Sequence, residues 1–221
     1  MLNILLEGYD ISADWIYDKL KNYIKPHHSV VVVAFSFRDE RVKTLEDWNL
    51  LYSKENGKYY GGITGGFARY GISDDKIQFL NYFTDSKESA ADKISASDII
   101  YFTGGLPDRM MERIKEFELE AVLKNYSGIV MGYSAGAVIQ LAEYHLSPDA
   151  DYKEFAYYEG LGYIDNFYLE VHYGNTDVQN ESVKKVLSER KKTVYALNLG
   201  KGAIVVDNGK IDLLGDVRIF N

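Results

Sequence analysis

The sequence predicts a three-layer α/β fold built on a mainly parallel sheet, because apolar runs of strand length alternate with longer stretches of helical periodicity. Leu2–Leu6 and Val30–Phe35 are unbroken apolar runs, the second rich in β-branched residues, as strands covered on both faces are. Between them Ser12–Ile24 sets Ile16, Leu20 and Tyr23 at helical spacing, with Ser12 placed as an N-cap. Near the end, Ala203–Val206 and Lys210–Leu214 flank Asn208-Gly209, a hairpin signal, so antiparallel strands are expected to close the sheet.

The remaining elements follow the same alternation. Strands are expected at Gln78–Phe83, Asp98–Thr103, Gly128–Gly132, Tyr168–His172 and Thr193–Leu197. Helices are expected at Lys87–Ala96, Asp108–Lys124, Ala135–Tyr144 and Asp177–Lys192. The stretch Gly61–Ile72 holds five Gly and reads as a tight or mobile loop, with a lid over a site as the alternative. It lacks a Gly-Lys-Ser/Thr ending, so a nucleotide phosphate loop is not supported.

Composition narrows the function. The 221 residues fit one domain spanning 1–221, and 46% apolar with 26% charged residues and only 3 Pro is an ordinary globular balance. A net charge of −8 argues against nucleic acid and anionic membranes, which ask for clustered Lys and Arg. No apolar run is long enough to cross a bilayer, and Met1–Asp10 has no basic stretch ahead of its apolar run, so a soluble cytoplasmic protein is expected. With no Cys there is no disulfide, thiolate metal site or cysteine nucleophile, and four His make a histidine metal centre improbable. No metal or organic cofactor is expected. The 19 Tyr are compatible with a homodimer.

The sharpest chemical signal is Gly132-Tyr133-Ser134-Ala135-Gly136-Ala137, lying between an expected strand and an expected helix. Small residues two before and two after the Ser permit a sharp strand-to-helix turn that leaves the hydroxyl exposed beside free helix N–H groups. Ser134 is thus the candidate nucleophile, and the Ala135 N–H a candidate oxyanion donor. Thr103-Gly104-Gly105 closes another expected strand, and paired Gly there lets backbone N–H groups approach a ligand, so Gly105 is the second candidate donor. An activated Ser needs a base. His27 and His28 precede a strand, at the wrong edge of the sheet, and His145 would lie about 16 Å along a continuing helix. His172 ends a strand before Gly174-Asn175 and is left as the base by elimination. Asp149, Asp151 and Glu154, in the loop Leu146–Glu159 after the elbow helix and before His172, are all candidate acids.

The ordered set Thr-Gly-Gly, Gly-Tyr-Ser-Ala-Gly-Ala, an acidic loop, Gly160-Leu161-Gly162 and Val171-His172-Tyr173 resembles the aspartyl dipeptidase (peptidase E) and cyanophycinase family of serine peptidases. The likeness runs from about Val30 to Gly215. It implies the class I glutamine amidotransferase-like, flavodoxin-like α/β fold, with Ser134 as nucleophile and His172 as base. It also implies Asp149 as the triad acid, since such proteins carry an Asp fifteen residues beyond the Ser. Three positions depart from the pattern. Leu106-Pro107-Asp108 replaces a third Gly followed by Asn-Thr. Asn198-Leu199-Gly200-Lys201 lacks the Glu of a Leu-Pro-Glu-Gly block, and Asp177–Val183 lacks the Arg of the aspartyl-specific branch. The expectation is therefore a serine hydrolase acting on small peptides through Ser134, His172 and Asp149, without a requirement for N-terminal Asp. The rival is a non-catalytic small-molecule binding protein on the same fold; an esterase would use the same site with another pocket. Arg38, Arg69 and Arg109 are expected in surface ion pairs.

Overall fold

The apolar runs lie at the centre of an eight-stranded sheet in a computed structural model describing residues 1–221. The first half of the chain runs β1 (Leu2–Leu6), α1 (Asp14–Leu20), β2 (Val30–Val33), α2 (Leu45–Tyr52), α3 (Tyr60–Ala68), β3 (Ile77–Leu80), α4 (Lys87–Ser95) and β4 (Ile99–Phe102). It continues through α5 (Pro107–Glu116), α6 (Glu120–Lys124), β5 (Ile129–Tyr133), α7 (Ala135–Val138), β6 (Glu143–Leu146) and β7 (Ala156–Glu159). The last elements are β8 (Tyr168–Tyr173), α8 (Asp177–Arg190), β9 (Val194–Asp207) and β10 (Lys210–Phe220). The sheet order is β10-β9-β1-β5-β4-β2-β3, and β8 also pairs with β9. Strands β1 to β5 are mutually parallel, whereas β9 runs antiparallel to β1 and β10.

Every residue of β2 and β4 is buried because helices cover both faces of the sheet. Side chains alternate between two cores as strand geometry requires. Leu5, Val31, Val33, Ile100, Phe102 and Val130 face one way, against Ala90 and Ile94 of α4 and Met110 and Ile114 of α5. Ile4, Leu6, Val30, Val32, Tyr101 and Met131 face the other, against Ile16 and Leu20 of α1 and Ile63 and Phe67 of α3. Each such aliphatic side chain removed from water contributes roughly 1.5–3 kcal/mol. Asn208 and Gly209 both take positive φ (48° and 83°), as a two-residue hairpin turn between β9 and β10 demands.

The structure revises four expectations. Gly61–Ile72 is not a loop: most of it is α3, whose glycines serve close packing, since a Cβ on Gly66 would come 3.0 Å from Ile11 Cγ1. The helix expected over Asp108–Lys124 is two, α5 and α6, divided where Glu118 adopts φ 55°. Ala13, rather than Ser12, stands at the N-cap of α1; Ser12 bonds Asp10 instead. Helix α7 stops at Val138, well short of Tyr144. Beyond it the buried Gln140 side chain donates to the Ile4 and Gly136 carbonyls and accepts from Asn3, drawing the chain aside into the β6–β7 ribbon.

The two roles of glycine in α3 are separable. Gly65 faces open space, so Gly65→Ala is expected to stabilise the protein by about 0.5–1 kcal/mol in urea unfolding. Gly66→Ala, pressed on Ile11, is expected to gain less or to destabilise.

Candidate active site

Three parallel strands end at one place. Strand β5 delivers Ser134, whose N–H donates to the Leu6 carbonyl at 3.0 Å, so the end of β1 lies beside it. Ser134 sits at φ 52°, ψ −114°, a strained conformation for a residue with a side chain. The flanking glycines make the turn possible. A Cβ on Gly132 would run into the Gly136 backbone, and one on Gly136 into the Phe102 carbonyl, so α7 can return over the sheet only with both positions bare. Ala135 is the first residue of α7, and its N–H has no carbonyl one turn back to receive it.

From β4 come Thr103-Gly104-Gly105. Gly104 is pressed so closely on the elbow that a Cβ there would stand 3.2 Å from Ser134 Cβ. Gly105 has φ 141° and leaves no room for a Cβ against the Ser36 carbonyl. Ser36 Oγ lies 2.8 Å from Thr103 Oγ1 and pins this loop from β2. The N–H groups of Gly105 and Ala135 are thereby brought to the same carboxyl edge as Ser134, and neither is used within the backbone ladder.

Strand β8 contributes His172, also at positive φ (52°), inside an irregularity in its pairing with β9. His172 Nε2 is 2.7 Å from Ser134 Oγ, and Nδ1 is 2.6 Å from Glu7 Oε1. Glu7 directly follows β1 and is only 6% exposed. Its second oxygen accepts the Gly200 N–H at 2.8 Å. Burial alone would raise the Glu7 carboxyl, but the hydrogen bonds from His172 and Gly200 outweigh it and hold the group below its ordinary value of 4.5. A hydroxyl, an imidazole and a buried carboxylate in series form the arrangement that general-base activation of a nucleophile requires.

Asp149 does not reach this line. Its Oδ1 accepts the N–H groups of Asp151 (2.7 Å) and Tyr152 (2.8 Å), so the carboxylate closes a turn in its own loop. Asp151 is bound to Arg38, which holds its carboxyl below the usual carboxylate range, and Glu154 is exposed. The partner of His172 is Glu7, which sequence reasoning overlooked. The available signal was a charged residue at the carboxyl end of a central apolar strand, where sites in such sheets form. His145, expected far along a helix, is instead in β6 and buried. Arg69 pairs with Asp14, and Arg109 with Glu112 and Asp39.

Two clefts meet at Ser134, His172, Gly105 and Arg38. One of about 680 Å³ is lined further by His145, Asp149, Tyr152 and Glu170. The other, about 500 Å³, is lined by Glu7, Arg41, Tyr52, Lys58 and Tyr133. No group of three or more His, Asp or Glu side chains converges as a metal site would.

The model of peptidase family S51 matches residues 52–214. The chain belongs to peptidase family S51. Membership supports a peptidase, a hydrolase of peptide bonds. Among solved structures, a Listeria monocytogenes EGD-e protein given the name peptidase E matches with TM-score 0.66 and 17% identity, over 100% of this chain and 98% of that one. A peptidase from an acI-B1 Actinobacterium matches with TM-score 0.60 and 17% identity, over 99% and 89%. At that identity the likeness is one of fold, and it agrees with the α/β architecture of the S51 chain described above. No curated protein matches significantly. No helix is long and apolar enough to cross a membrane.

The lowered Glu7 value makes a stability prediction. Its contribution is complete above the ordinary carboxylate value of 4.5 and is lost as pH falls through the lowered folded value. Wild type and Glu7→Gln should therefore differ in urea midpoint at neutral pH, with the gap closing below about pH 4.5. A gap that is the same at every pH would contradict this linkage.

Proposed function

We propose that this S51 chain is a serine peptidase of small peptides, with Ser134 as nucleophile, His172 as general base and Glu7 as the acid that orients His172. The observation that carries the reading is the unbroken line from Ser134 Oγ to His172 Nε2 at 2.7 Å and from His172 Nδ1 to Glu7 at 2.6 Å. Ser134 Oγ attacks the amide carbonyl carbon as its proton passes to His172 Nε2. Glu7 keeps the Nδ1 proton in place and stabilises the imidazolium. The Gly105 and Ala135 N–H groups donate to the oxyanion. The C–N bond then breaks, His172 returns its proton to the leaving amine, and an ester remains on Ser134. Water, deprotonated by His172, hydrolyses that ester and restores the hydroxyl. Clefts of about 680 and 500 Å³ on a common reacting centre suit a peptide of few residues better than a folded chain.

Intact-mass labelling with a small uncharged fluorophosphonate tests this. One adduct is expected on wild type and none on Ser134→Ala or His172→Ala. Glu7→Gln should slow labelling by about a hundredfold or more, whereas Asp149→Asn should stay within about threefold of wild type. Folded wild type that takes no label, or a label that survives Ser134→Ala, would sink the proposal. Equal slowing in Glu7→Gln and Asp149→Asn would sink the assignment of the acid.

A further inference from the structure

Outside the Ser134–His172–Glu7 line, β6, β8 and the loop after β6 bring three polar side chains together on the wall of the larger cleft. Glu170 Oε2 accepts from Ser147 Oγ at 2.8 Å and lies 2.7 Å from His145 Nε2. Both His145 and Glu170 are buried, at 2% and 5% exposure, yet both line the cleft that Ser134 shares. Phe155 stacks on the His145 ring with centroids 5.6 Å apart, and His145 Nδ1 is sealed without a hydrogen-bond partner. A proton on Nδ1 would be buried and unsatisfied, so these contacts suit the tautomer that carries its proton on Nε2 and donates it to Glu170. That tautomer brings a hydrogen bond to the carboxylate and no positive charge.

The two donors converge on Oε2. Oε1 of the same carboxylate makes no hydrogen bond within the chain and is not sealed from solvent, although the residue as a whole is buried. With Oε2 already satisfied, Oε1 is the oxygen of this carboxylate left open for a cation or donor that enters the cleft. The cleft wall brings no free cation of its own. Arg38, its one Lys or Arg side chain, is committed to Asp151, and Asp149 adds a further negative charge.

We infer that this cleft receives a nitrogen cation of the substrate, an ammonium or guanidinium, held by Glu170 Oε1, with His145 and Ser147 as positioning residues that fix the carboxylate. The inference rests on the reading of Ser134 as the adjacent reacting centre. Two sources share this chemistry: the free α-amino group of a peptide's first residue, or the side chain of a basic one.

Calorimetric binding to the Ser134→Ala protein separates them, because that variant holds a ligand without turnover. The probes are the twenty dipeptides Xaa-Ala, each as the free amine and as its N-acetyl form. If the α-ammonium is bound, free amines bind at least about tenfold more tightly than their acetylated forms whatever Xaa is. If a side chain is bound, dipeptides with Lys or Arg first bind in both forms and the others do not. In either case adding Glu170→Gln should cost the cationic ligands about tenfold and leave neutral acetylated dipeptides unchanged. The inference is overturned if free amines bind no better than their acetylated forms and Lys and Arg dipeptides bind no better than neutral ones, or if Glu170→Gln binds the cationic ligands as its parent does. The comparison of free and acetylated peptides stands without Glu170→Gln, so poor folding of that variant does not remove the test. Because binding is read without the Ser134 hydroxyl, a failure here is distinct from a failure of fluorophosphonate labelling, which would overturn only the catalytic reading.

Discussion

The site depends on one strand pairing with two others along the same edge. Strand β9 holds β8 parallel to it through Val194–Asn198 and β1 antiparallel to it through Ala203–Asp207. Opposite directions on one edge mean that the carboxyl ends of β8 and β1 point at each other across the segment between. That segment contains Gly200 at φ 86° and Gly202, where a Cβ would come 2.7 Å from Leu197 Cβ. Glu7 and His172 meet at this seam. The Gly200 N–H ties the Glu7 carboxylate to the segment, and the Glu7 N–H donates to the Gly202 carbonyl at 2.9 Å. Because β1 also lies beside β5, the same seam sets the distance from His172 to Ser134.

Two residues in the line, Ser134 and His172, hold left-handed φ values that cost about 1–3 kcal/mol each. Neighbouring bonds over-determine both. The Ser134 carbonyl receives the Ala137 and Val138 N–H groups, and the His172 carbonyl receives the Gln179 side chain at 3.0 Å. The strain is thus borne by the first turn of α7 and by the start of α8, both of which also line the cleft at Ser134. Rigidity at the site is a property of the surrounding layers more than of the site's own contacts.

Much of this was legible in the sequence where the signal is local. The apolar runs of β1, β2, β4 and β5 named the sheet, Asn208-Gly209 named its closing hairpin, and Gly132 and Gly136 identified the turn at Ser134 by residue size alone. His172 followed by elimination. What failed was non-local or ambiguous. Glu7 lies 165 positions from His172, and no spacing rule links them. The resemblance to a family with an Asp fifteen residues after the Ser pointed to Asp149, but loop geometry turned that carboxylate onto its own backbone. Five glycines read as a loop because Gly disfavours helices; in α3 the tertiary gain of bringing Ile11 and Tyr9 close to the helix outweighs that preference. His145 was misplaced because nothing local announced that α7 would end after one turn.

The seam also governs timing. The first strand of the chain waits for partners made much later: β5 at residues 129–133, then β9 at 194–207. Glu7 is made 193 positions ahead of Gly200, whose N–H anchors it. A nascent chain can fold its earlier helices and still lack an oriented His172 until β9 has been made. The seam is therefore a late product of synthesis: neither side of it is in place until β9 has paired with β1 and β8.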